Sequence, residues 1–250
     1  MPSSPSAKPD PTGGPADWIR GRVFAHRGLH GPGAIENSLP AFEAAIEAGL
    51  GIECDIQRSR DGQPIVFHDW NLKRLIGEDV ATQDLDAQEL CRKRFTERDD
   101  GPTHLDKLLE LVGGRVPLLI EVKSRKGYDI APSCTGVARS LAGYDGRAAV
   151  MSFDPRVPRW FAIHRPDRVR GLVVTEEGRR GLTGHWQRWT ALRHSRAQFL
   201  AYDIRDLPSD FARRHRAGGM PVASWTVRNA EHRRRAALYA DAPIAEGSGL

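Results

Sequence analysis

Residues 51–69 read GIECDIQRSRDGQPIVFHD, and the way their two apolar runs pair decides the fold. Residues 51–56 and 64–67 are separated by only a few positions, which include Asp61-Gly62. A parallel crossover needs about a dozen residues or more, so these runs form an antiparallel hairpin. Side chains alternate along the first strand. Glu53 and Asp55 therefore share one face, about 6.6 Å apart along the strand, and Cys54 turns to the other face to pack under helices.

Outside the hairpin, apolar runs recur at residues 22–26, 117–122, 148–152, 171–175, 198–202 and 221–226. Helix-like stretches such as 39–48, 105–112 and 133–142 separate them. This alternation predicts βα units around a parallel sheet. Ser38 suits an N-cap and Gly49 suits the position just past that helix. Without the hairpin arm, seven barrel strands are visible, and residues 242–247 supply the eighth. The expected fold is an α/β TIM (β/α)8 barrel, with a β-hairpin extension of its second strand and a short insertion after it. That insertion, within residues 69–115, holds a loop, a short helix near 86–94 and the helix at 105–112. The chain stops soon after residue 247, so no helix is expected to follow the last strand.

The 250 residues, 40% hydrophobic and 28% charged, suit one folded catalytic domain over residues 18–250. Residues 1–17, rich in Pro, Ser and Gly, read as a disordered tail. They lack the apolar run of a secretory signal, and no stretch approaches a membrane span. Three cysteines, Cys54, Cys91 and Cys134, have no metal-type spacing and read as reduced thiols of a cytoplasmic protein. The net charge of +5 comes mostly from arginine in the C-terminal half. Runs such as Arg233-Arg234-Arg235 have no interleaved aromatic platforms, so they read as solvated helix faces and not as a nucleic-acid surface. A basic surface still attracts anionic substrates. The oligomeric state is not encoded.

Several motifs carry chemistry. Two carboxylates inside a barrel repel unless they are compensated, either by a cation or by Arg and Lys side chains. An all-oxygen donor set favours Mg²⁺ or Ca²⁺. Glu121 and Lys123 end the apolar run at 117–122, on one face, where barrels place their chemistry; the bland alternative is a surface ion pair. His26-Arg27-Gly28 follows the first strand. His26 reads either as a hydrogen-bonded structural residue or as a catalyst, Arg27 suits bidentate phosphate contact, and Gly28 permits a close turn. His68 ends the hairpin arm beside Asp69, and neighbours on a strand point apart, so Asp69 need not orient it. Two imidazoles beside one cation suit acid–base work. Phe153 and Trp225 end two further strands and either line a substrate cleft or pack the barrel mouth. The histidines at 104, 164, 185, 194, 215 and 232 match no motif and read as surface residues.

Taken in order, His26-Arg27-Gly28, Glu36-Asn37-Ser38, Glu53-x-Asp55, Asp61-Gly62, His68-Asp69 and Glu121-x-Lys123 resemble the glycerophosphodiester phosphodiesterase family. Residues 72–74, Ser152-Phe153 and Trp225-Thr226-Val227 extend the resemblance over residues 23–229. It implies a cation-dependent TIM-barrel phosphodiesterase acting on a small-molecule diester, without stable membrane insertion. Glu53, Asp55 and Glu121 would ligate the metal, His26 and His68 would be the acid–base pair, and Arg27 and Lys123 would hold the phosphate. The products would be glycerol 3-phosphate and an alcohol. A related barrel phospholipase acting on lysophospholipids is the alternative. The chain departs from the family at its C-terminal strand, where Ile244-Ala245-Glu246-Gly247 replaces an Asp-containing turn that leads into a helix.

Overall fold

The computed structural model describes residues 13–96, 98–178 and 180–250. In chain order the elements are β1 (Phe24–His26), α1 (Leu39–Glu47), β2 (Gly51–Arg58), β3 (Pro64–Val66), α2 (Lys73–Ile76), α3 (Ala87–Arg92), β4 (Thr103–His104), α4 (Leu105–Val112) and β5 (Leu118–Val122). There follow α5 (Ala131–Ser140), β6 (Ala148–Ser152), α6 (Arg156–His164), β7 (Val169–Val174), α7 (Leu182–Ser195), β8 (Phe199–Asp203), α8 (Asp210–Ala217), β9 (Val222–Val227), α9 (Ala230–Tyr239) and β10 (Ala242–Ala245).

Eight parallel strands, β1, β2 and β5–β10, form a closed ring, because β1 pairs with both β2 and β10. The (β/α)8 expectation is borne out, and residues 242–245 do supply the closing strand. The predicted hairpin is present, with β3 antiparallel to β2. The insertion goes further than the sequence reading: β4 adds a third antiparallel strand to the arm. Ile65, Phe67, Leu72, Leu90 and Phe95 form a small core under it.

Local rules place the helices. Ser38 caps α1, its Oγ accepting from the Ala41 amide at 3.3 Å. Asp86 and Glu89 form a reciprocal capping box on α3. His104, expected as a surface residue, has a structural role: its Nδ1 accepts from the Asp106 amide at 3.2 Å and caps α4. A 3₁₀ turn over Gly247–Gly249 follows β10, where no helix was expected. Residues 1–12 of the anticipated tail lie outside the described residues. At residues 13–17 the tail reading gives way, because Ala16 is buried and a 3₁₀ turn begins at Asp17.

The strand period of two divides the core. Ile52, Cys54 and Ile56 of β2 join Leu118, Ile120 and Val122 of β5 beneath α1, α4 and α5. The opposite faces fill the barrel with Phe24, Leu119, Ala149, Phe199, Ala201, Ala223 and Ile244, and Ile19 of the 3₁₀ turn before β1 joins them. Phe199 occupies space left by its register partner Gly171, where an added Cβ would lie 2.3 Å from the ring. Phe199→Ala is expected to cost about 3–5 kcal/mol, because the rigid barrel collapses poorly around the void. Urea unfolding checks this, and a loss below about 1 kcal/mol would show that the interior relaxes.

Candidate active site

Register assembles the site at the C-terminal end of the barrel. His26 of β1 lies opposite Glu53 of β2, and Asp55 of β2 lies opposite Glu121 of β5. Glu53, Asp55 and Glu121 are all buried, and each offers an oxygen within 4.8 Å of the others. His26, Arg27, His68, Lys123, Phe153 and Trp225 share a cavity of about 330 Å³ with Glu53 and Glu121. Phe153 and Trp225 meet edge to face there, with ring centroids 5.3 Å apart. The mouth also contains Arg228 and His232, and the latter had been read as a surface residue.

The two cations engage the carboxylates directly. Lys123 Nζ lies 2.7 Å from Asp55 Oδ1 and 2.8 Å from Glu121 Oε1. Arg27 Nε lies 3.0 Å from Asp55 Oδ2, and its Nη1 donates to Glu36 Oε1 at 2.8 Å. Asn37 clasps Asp55 from both sides: its Nδ2 donates to Asp55 Oδ2 at 2.9 Å, and its Oδ1 accepts from the Asp55 amide at 3.1 Å. Arg27 and Asn37 both take left-handed backbone angles, φ 56° and 57°, which a bulky arginine adopts only when its surroundings impose it. The Arg27 amide donates to Glu53 Oε2 at 3.1 Å, and its carbonyl accepts from the Asn37 amide at 2.9 Å. Gly28 follows at φ 82°, and a Cβ there would sit 2.9 Å from the Ala41 backbone. Only glycine lets this turn press so closely against α1.

The acids differ electrostatically. Burial raises the Glu53 carboxyl well above its usual range, and Asp55 and Glu121 push it further. Burial acts the same way on Asp55, but Lys123 and Arg27 outweigh it and hold that carboxyl far below its usual range. Burial disfavours charge on Lys123 as well, yet Asp55 and Glu121 keep it firmly protonated. Three clustered carboxyls share only one lysine and one arginine, so all three cannot ionise easily together, and Glu53 is the one held toward its neutral form. A clustered, all-oxygen donor set of this kind fits a hard divalent cation.

Both histidines are oriented by carboxylates. His26 Nδ1 hydrogen-bonds to Glu246, which also accepts from Arg228 Nε at 2.6 Å. His26 Nε2 faces Glu53 Oε2 at 4.0 Å. His68 Nδ1 pairs with Asp69 Oδ1 at 2.7 Å, which corrects the expectation that Asp69 need not orient it: the backbone has left β3 by residue 68, so strand alternation no longer applies. Gln57 Nε2 donates to the His68 carbonyl at 3.0 Å. Asp69 Oδ2 accepts from Arg74 Nε at 2.7 Å, and Arg74 Nη2 reaches Glu36 Oε1 at 2.6 Å. A polar chain thus runs from His68 through Asp69, Arg74, Glu36 and Arg27 to Asp55. Burial lowers the His68 pKa, favouring neutral imidazole.

Sequence reasoning assigned no role to Asn37, Glu246, His30 or Arg74. His30 Nε2 lies 3.5 Å from Glu246 Oε2. The signal for Glu246 was present, since it follows the last barrel strand at the catalytic end.

The glycerophosphoryl diester phosphodiesterase family model matches residues 26–244. The chain belongs to this family. Family membership makes it a phosphoric diester hydrolase of the glycerophosphodiester class. A glycerophosphodiester phosphodiesterase of Caldanaerobacter subterraneus subsp. tengcongensis is 26% identical over 227 residues, covering 85% of this chain and 88% of the relative. One from Bacillus altitudinis is 36% identical over 109 residues, but that match spans only 44% of the relative's length. Among solved structures, the glycerophosphodiester phosphodiesterase of Thermotoga maritima is 27% identical with TM-score 0.72, covering 89% of this chain and 93% of the other. An Oleispira antarctica phosphodiesterase in complex with sn-glycerol-3-phosphate shares the fold, with TM-score 0.78 at 22% identity, covering 91% and 94% of the two chains.

Proposed function

We propose that this chain hydrolyses glycerophosphodiesters to glycerol 3-phosphate and the free alcohol, with His26 and His68 as the acid–base pair. The observation that carries this reading is the pairing of each imidazole Nδ1 with a carboxylate beside a buried three-carboxylate cluster. A carboxylate on Nδ1 selects the tautomer that leaves Nε2 free to take or give a proton. The free glycerol hydroxyl attacks phosphorus, one imidazole takes its proton, and the other protonates the departing alcohol. Water then opens the resulting cyclic phosphate by the reverse exchange of protons. Glu53, Asp55 and Glu121 would hold the divalent cation, Mg²⁺ or Ca²⁺, which when bound neutralises charge on the phosphoryl oxygens. Arg27, Lys123 and Arg228 add positive charge at the mouth for an anionic substrate, and Phe153 with Trp225 walls the cleft. Described helices include none long and apolar enough to cross a membrane, and three unpaired cysteines fit a reducing compartment such as the cytoplasm.

A second reading, action on lysophospholipids, draws on two observations. A separate cleft of about 360 Å³ shares Phe153 and Val173 with the mouth and is lined further by Leu172, Val174 and, from α7, Gln187 and Arg188. A lysophospholipase D of Rattus norvegicus is 36% identical over 102 residues, covering 40% of this chain and 32% of the relative.

Incubation with glycerophosphocholine separates the readings. Glycerol 3-phosphate should appear with added Mg²⁺ or Ca²⁺, fall by at least about a hundredfold in excess EDTA, and return when the cation is restored. Conversion of lysophosphatidylcholine alone would favour the second reading. Unchanged turnover in EDTA would remove the cation from the account.

A further inference from the structure

The outer face of α7 is not needed for the site or the core. Leu182, Trp186, Trp189 and Arg193 are spaced four, three and four residues apart, so they form one stripe along the helix. Leu182 is 85% exposed, Trp186 64% and Trp189 42%. The helix turns other residues inward, burying Gly184, Leu192 and Ser195. The two indoles meet edge to face at 5.7 Å, and the Arg193 guanidinium lies 5.2 Å from the Trp189 ring centre. An aromatic stripe this exposed marks a contact surface.

Charge indicates what it contacts. Neither α6 nor α7 contains an aspartate or glutamate, and of their four arginines Arg156 and Arg188 pair with Asp154 and Glu176, so Arg159 and Arg193 supply the charge of this face. The two helices are joined where Arg159 Nη1 donates to the His194 carbonyl at 3.4 Å, and α6 adds exposed Ile163. Indoles seat well at the headgroup level of a bilayer, one side apolar and one side wet, and guanidinium groups pair with lipid phosphates. We propose that α7 docks the protein on an anionic lipid surface, with Leu182, Trp186 and Trp189 entering the headgroup region and Arg159 and Arg193 facing lipid phosphates. Leu182 opens α7 on the catalytic side of the barrel, so docking would hold the mouth near the lipid.

The test is co-sedimentation of the full chain with vesicles of phosphatidylcholine mixed with phosphatidylglycerol, against phosphatidylcholine alone. Binding should need the anionic lipid and fade in high salt. The Trp186→Ala/Trp189→Ala variant should bind on the order of tenfold more weakly, and Arg193→Glu should also bind more weakly. Both variants should keep wild-type turnover of glycerophosphocholine in solution, which confirms their fold. Absence of vesicle binding by the wild type, or equal binding by the double variant, would overturn the proposal. So would light scattering that finds a wild-type dimer and a monomeric double variant, because the stripe would then join two copies of the chain.

Discussion

His26→Ala and His68→Ala should each lower kcat for glycerophosphocholine by about 10²–10⁴-fold with KM little changed, because under the proposed mechanism each removes a proton carrier used in the transition state. Their combined loss should fall short of the product of the single losses, since the two imidazoles serve one proton exchange. Under the proposed assignment Glu246, hydrogen-bonded to His26 Nδ1, acts as a positioning residue. Glu246→Gln should lower kcat by about 10–100-fold, the usual scale for losing the partner that orients a functional imidazole. Glu246→Asp should recover part of the loss, and the pH–rate profile should shift for Glu246→Gln. Steady-state kinetics across pH at saturating cation measure all of these. Full kcat in His68→Ala would remove it from the acid–base pair. An unmoved pH profile in Glu246→Gln would leave that carboxylate only a structural role.

The second large effect separates two acids that the sequence presents as equivalents. In EDTA, Asp55→Asn should destabilise the fold by about 3–5 kcal/mol, because it leaves the buried cations facing an amide. Asp55 supports Lys123 at 2.7 Å and Arg27 at 3.0 Å, and Asn37 grips it from two directions. Glu53 has a different setting. Apart from the Arg27 amide and the distant His26 ring, its closest charged company is two like-charged carboxylates. Glu53→Gln keeps an acceptor for that amide and relieves repulsion, so it should change stability by less than about 1 kcal/mol, with either sign. Both variants should lose nearly all activity. Urea unfolding in EDTA gives the comparison, and the reverse ranking would mean that Glu53 carries the structural pairing.

Much of the catalytic face was legible because strand geometry is local. Glu53-x-Asp55 and Glu121-x-Lys123 each project to one side by the period of two, whatever lies beyond the strand. The sequence left two alternatives for these carboxylates, a cation or compensation by Arg and Lys. The structure brings both into the same pocket: Arg27 and Lys123 contact the acids, and the donor set still fits a divalent ion. Asp69 was misjudged because strand alternation was carried past Val66, where β3 ends, to residues 68 and 69. Glu246 was overlooked because its partner, His26, lies 220 residues away in the chain.

The sequence by itself determined what neighbouring residues govern: the βα alternation, the hairpin forced by a short connection, the Ser38 cap of α1, and the shared face of Glu53 with Asp55 and of Glu121 with Lys123. Only the tertiary structure decided ring closure and register, which set His26 against Glu53 and Asp55 against Glu121, bring Glu246 onto His26, and link Asp69 to Arg27 through Arg74 and Glu36. Register between distant strands follows from packing all eight around one filled interior, and a one-position slip would turn every facing pair to the wrong side. No local stretch of chain contains that information.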